Sequence, residues 1–160
     1  ALDVFCEDVG ELLARDLERA VQFVHVGLSV PGSGQADRRA GGDYLVRNLV
    51  AIDPRKKLIA IGDAVERNSE ILFCKRDAAS AREDLARILA ELRAGLAAPP
   101  KGALYFSCVG RGEHMFGRRG AELEQVREAL GEVPLVGFFC SGEISHDRLY
   151  GYTGVLTLFH

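Results

Sequence analysis

Residues 103–140 read ALYFSCVGRGEHMFGRRGAELEQVREALGEVPLVGFFC, and this stretch decides the fold. Leu104 to Cys108 is a short run rich in apolar and aromatic residues, which predicts a strand. Gly110 to Gly117 is a glycine-rich loop. Arg118 to Leu130 has helical spacing, with Leu123, Val126 and Leu130 as its expected buried face and Gly131 as its stop. Leu135 to Cys140 is a second strand, and its near-continuous apolar character predicts burial on both faces. Strand, helix and strand in this order predict a parallel, right-handed crossover.

The flanks fit around that unit. Thr153 to Phe159 is a closing strand. Upstream, a helix is expected to about Leu96, capped by Asp77 or by Ser80 with Glu83, and stopped by Pro99-Pro100. Its apolar stripe is Ala81, Leu85, Ile88, Leu89, Leu92 and Leu96. Tyr44–Ile52, Leu58–Ile61 and Glu70–Lys75 are β-type runs separated by Asp53-Pro54 and Gly62-Asp63, which predicts an antiparallel meander. Pro31 to Gly42 is a long loop. Val21 to Val26 is a strand, and residues 8–19 are one helix capped by Asp8 with Glu11. The expected class is α/β: a mixed, partly antiparallel sheet with helices packed on it. Residues 1–39 form an N-terminal helix and strand, and 40–160 the main domain.

Composition narrows the function. A net charge of -3 argues against a nucleic-acid surface, which needs a clustered basic face. Arg38-Arg39, Arg55-Lys56-Lys57 and Arg118-Arg119 are short and scattered. No apolar run reaches the roughly 18 residues of a membrane span. Three of the four cysteines end or interrupt apolar runs, the habit of reduced thiols, so the expected location is cytoplasmic. The chain begins with Ala1, which suggests a part of a longer protein.

Two stretches look alike. Tyr105–His114 is YFSCVGRGEH and Phe138–His146 is FFCSGEISH. If their strands are neighbours, Cys108, Cys140 and both glycine turns meet at the strands' carboxyl ends, where ligands bind in open sheets. Gly110, Gly112 and Gly142 permit close approach of backbone to a bound group. Arg111 can grip a carboxylate, and Glu143 can accept from an ammonium. Together they suit an amino acid or a related small carboxylate. Arg47 and Asn48 interrupt an apolar strand, so one of them needs a partner, with Asp77 or Glu143 as candidates. The competing readings are a zinc site from Cys108, His114, Cys140 and His146, a haem sensor, a protein-interaction scaffold, and catalysis by Cys108 with His114 as base. No catalysis and no resident cofactor is the expectation.

YFSCVGRGEHMFG and VPLVGFFCSGEI resemble the two most characteristic blocks of the C-terminal FIST domain. YLVRNLVAIDPRKKLIAIGDAVERNSEILFCKRDAASAREDL resembles its strand-rich first half. The resemblance spans residues 40–159 and rests on Arg47, Asn48, Arg76, Asp77, Cys108, Gly110, Arg111, Gly112, Phe116, Gly137, Phe138, Gly142 and Glu143. It implies a sensory, small-ligand-binding domain of bacterial-type signal transduction, partnered by a preceding N-terminal FIST domain or an output protein. Residues 1–39 are then either the domain's first elements or the tail of that preceding domain.

Overall fold

The computed structural model describes residues 1–30 and 44–160. The loop expected over Pro31–Gly42, and the 39/40 boundary within it, lie outside the described residues. The chain forms two compact units, Ala1–Arg76 and Asp77–His160. Both combine sheet and helix, as the α/β expectation requires.

The first unit opens with three short helices: α1 (Leu2–Val9), α2 (Glu11–Ala14) and α3 (Leu17–Phe23). One helix over 8–19 was expected. Gly10 breaks it, at φ 79°. The side-chain cap is Asp16 rather than Asp8, accepting from the Arg19 N–H at 3.0 Å. Helix α3 therefore takes Val21 to Phe23, and the strand expected there begins later. Strands β1 (Val24–Ser29), β2 (Tyr44–Asp53), β3 (Leu58–Ile61) and β4 (Ile71–Lys75) form an antiparallel sheet in the order β3-β2-β1-β4. The meander stops after β3, because β4 pairs with β1. β1 is central because it carries the most apolar burial: Val26 is fully buried and Val24 nearly so. Phe5, Ala20 and Leu49 pack around them, and Phe5 meets Phe73 edge-on at 5.0 Å.

The second unit begins with α4 (Ala78–Gly95), capped by Asp77 through the Ser80 N–H at 3.0 Å. Then follow β5 (Gly102–Cys108), α5 (Gly112–Phe116), α6 (Ala121–Leu130), β6 (Leu135–Cys140), the hairpin β7 (Glu143–Ser145) and β8 (Arg148–Tyr150), and β9 (Gly154–Phe159). β5 and β6 are parallel, so the expected crossover is present, and β9 joins β5 antiparallel on the other side. Side chains alternate along β5. Tyr105 and Ser107 share the face covered by α4 and α6, where Leu85, Leu89, Phe116 and Val126 form the core.

Two expectations fail here. β6 is the edge strand, not a doubly buried one: Val136 and Phe138 are each 65% exposed and Phe139 is 57% exposed. Among the described strands of this sheet only β5 has neighbours on both sides. And α6 keeps Val126 and Leu130 on the core as expected, but Leu123 points outward and Glu122 is buried. A glutamate inside the core is explained only by what it binds.

Candidate functional site

Glu122 has three donors. Tyr105 Oη donates to its Oε1 at 2.7 Å, and Ser107 Oγ donates to its Oε2 at 2.9 Å. Arg111 Nε donates to Oε1 at 2.6 Å. Charge-assisted bonds of this kind are the strong ones, and they offset the cost of burying the carboxylate. Burial and the Glu122 charge both push the Tyr105 hydroxyl well above the usual phenol range, so it stays a donor. Tyr105 fits because its neighbours are small. A Cβ at Gly137 would collide with the Tyr105 carbonyl oxygen, and one at Gly154 with its hydroxyl.

The strand end delivers Arg111 to this carboxylate. β5 closes on a turn in which the Arg111 N–H donates to the Cys108 carbonyl at 2.8 Å. Gly110 lies in that turn, and Gly112 leaves it at φ 51°, a conformation that favours glycine. The guanidinium then lies on the Phe116 ring, 5.1 Å from its centroid. Its side chain is 14% exposed. The Nε is committed to Glu122, and the guanidinium also acts on the Tyr105 hydroxyl beside it. Arg111 is thus held by one edge and one face.

Glu143 has a different environment. It is 1% exposed. Its Oε2 accepts from Thr153 Oγ1 at 3.1 Å and from the Thr153 N–H at 3.3 Å. Its Oε1 accepts from the Cys140 thiol at 3.5 Å. No ion pair reaches it among the described residues. Gly142, at φ 151°, turns the chain so that Glu143 points inward. A Cβ there would lie 2.9 Å from Leu149 Cδ1. Both Glu143 oxygens are therefore spent on the protein's own donors.

Cys108 and Cys140 are register partners on adjacent strands, as the two-copy reading required, and all four cysteines are unpaired. Burial, reinforced by the Glu143 carboxylate, pushes the Cys140 thiol up, which keeps it protonated. Cys108 is buried, and no hydrogen bond joins it to His114 among the described residues. The zinc set does not assemble either. His114 lies on α5 and His146 in the β7–β8 turn at φ 55°. Among the described residues no three His, Cys, Asp or Glu side chains are grouped to hold a metal.

Arg47 and Asn48 belong to the first unit. Arg47 Nε donates to Asp63 at 2.7 Å, which answers the question of its partner and differs from the expected Asp77 or Glu143. That bond holds the Asp63 carboxyl below its usual range. Asn48 faces His25 across the β1–β2 ladder. The other six predicted site residues lie in the second unit, where Arg111 and Glu143 go to separate partners. Sequence reasoning missed Glu122, Tyr105 and Ser107. The signal was the pair of hydroxyls two apart on an apolar strand, which needed a buried acceptor.

A parallel crossover sheet with an Arg111–Glu122 ion pair at the carboxyl end of its central strand defines an α/β domain. The chain belongs to the FIST C domain family, whose model matches residues 1–146. This is a family of sensory domains of signal-transduction proteins. An uncharacterized protein of Mycobacterium tuberculosis is 38% identical over 156 residues, covering 95% of this chain and 38% of the relative. An uncharacterized protein of Mycobacterium bovis is 38% identical over 122 residues, covering 74% of this chain and 32% of the relative. The chain thus spans well under half the length of these curated relatives. Among the described residues no helix is long and apolar enough to cross a membrane.

Proposed function

We propose that this chain is a ligand-sensing part of a larger signalling protein, and that Arg111 grips a small carboxylate at the carboxyl end of β5. One observation supports the reading most. Arg111 is oriented by Glu122 and Phe116, and its ion pair with Glu122 uses Nε, not the terminal nitrogens. Preorganisation of this kind lowers the cost of binding. Cys108 and the Gly110–Gly112 backbone line the same turn. The reading needs no resident cofactor and no turnover. It places the chain beside further domains, of which a preceding N-terminal FIST domain or an output protein is the natural partner, in the cytoplasm.

The test is a thermal-shift screen against free amino acids, small carboxylates, zinc and haemin, with Arg111→Ala alongside. A ligand at about 100 times its dissociation constant adds about 2.7 kcal/mol, several degrees for a domain of this size. A carboxylate-dependent shift that vanishes in the variant is the expected result. A shift with only zinc or only haemin would replace this reading with a metal or haem sensor. A carboxylate shift that survives Arg111→Ala would remove Arg111 from the site.

A further inference from the structure

The surroundings of Arg111 say more about its ligand than that it is an anion. Glu122 already cancels the guanidinium charge at 2.6 Å, so the pair together is close to neutral. Each negative charge added beside this pair is left without a counter-charge, so a doubly charged oxyanion costs more to bring in than a single carboxylate held by the terminal nitrogens. The plane of the guanidinium is fixed at Nε by Glu122 and on its face by Phe116, so the terminal edge matches a planar, two-oxygen acceptor.

The amino end of a ligand finds less. Both oxygens of Glu143 are taken by Thr153 and Cys140, and the residue is buried. Glu113, the other acid beside the turn, reaches Arg119 at 3.5 Å. The pairing of Arg111 with Glu143 that would suit an amino acid is not offered by these contacts.

We propose that Arg111 recognises singly charged carboxylates by the carboxylate alone, and that Glu122 is the positioning residue that sets this selectivity against doubly charged oxyanions. The proposal rests on the reading that Arg111 is the anion grip.

The experiment follows the Arg111 Nε–H by NMR in 15N-labelled chain during titration with propionate, L-alanine and sulfate. Propionate and L-alanine bind within about threefold of each other, and sulfate at least about tenfold more weakly. Glu122→Gln, which keeps the shape and removes the charge, improves sulfate relative to propionate by about tenfold or more. Glu122→Asp keeps the charge, and with it the discrimination against sulfate, while losing propionate affinity. Preference for L-alanine by more than about tenfold overturns the proposal, because the amino group is then read. So does an unchanged propionate-to-sulfate ratio in Glu122→Gln or, if that variant does not fold, a gain of sulfate binding in Glu122→Asp. These outcomes leave Arg111 as the grip. If Arg111→Lys binds propionate as the wild type does, or if propionate leaves the wild type unchanged, the site itself is wrong and the proposal falls with it.

Discussion

Tyr105–His114 and Phe138–His146 begin alike, as apolar strands that run into a cysteine and a glycine turn, and then diverge. The first continues into α5 and α6, and its turn sends Arg111 to a buried carboxylate from another element. The second folds into the β7–β8 hairpin, and its own carboxylate turns inward onto Thr153. Each contains or reaches a buried glutamate, yet only Glu122 meets a cation. The lesson is that a repeated sequence pattern fixes a repeated strand end, while the next element decides what the polar group does. In the first stretch the polar group is tied to a carboxylate on α6 and to an aromatic face. In the second it closes the structure.

The largest expected effect separates those two glutamates. Glu122→Ala strands Arg111 without its counter-charge and leaves the Tyr105 and Ser107 hydroxyls without their acceptor. Urea unfolding should show a loss of about 3–5 kcal/mol. Glu143→Gln removes a charge that had no ionic partner and keeps an acceptor for Thr153, so stability should change by no more than about 1 kcal/mol. Equal losses from the two would break the comparison.

Next is the support beneath Tyr105. Gly154→Ala places a methyl against the Tyr105 hydroxyl and pushes it off Glu122. The expected cost is about 1–3 kcal/mol by the same unfolding measurement. Tyr105→Phe in the Gly154→Ala background should recover part of it. Recovery would show that the collision at the hydroxyl, and not backbone strain, carries the effect.

The smallest effect concerns the second stretch alone. The Cys140 thiol is pushed up, first by burial and then by the Glu143 carboxylate. Its iodoacetamide alkylation, measured by mass spectrometry, should therefore need a higher pH than an unperturbed thiol needs, since only the thiolate reacts. Glu143→Gln should move that profile toward lower pH, because a neutral amide no longer disfavours the thiolate. The same sign holds for stability. A raised value in the folded state favours folding below the thiol's unfolded range, and deprotonation erodes that contribution as pH rises. An unmoved profile would detach Glu143 from Cys140.

Much of this architecture was legible in the residues. The crossover could be read because strand, glycine loop, helix and strand follow one another with little ambiguity of period. β2, β3, β4 and α4 were legible for the same reason. The N-terminal helices were not, because Gly10 lies inside a pattern that keeps helical spacing across the break. The β7–β8 hairpin was missed because three-residue strands are too short to show alternation. The burial of β6 was misjudged because apolar character reports what a strand tolerates, not where it sits in the sheet. The geometry of the candidate site was half legible. Arg111 was readable from its loop. Its partner Glu122 was hidden because a charged residue on a helix is ordinarily assigned to the outer face.

β6 has one consequence of its own. LVGFFC carries no charge and no proline, and it sits at a sheet edge with three of its side chains more than half exposed. On a nascent chain β5 and α6 are made before this segment, which stays unpaired until it docks beside β5. Short uncharged segments rich in aromatic and branched residues are the ones that stick to one another. Before it docks, this is a stretch suited to capture by a holdase chaperone and to self-association in a concentrated refolding mixture.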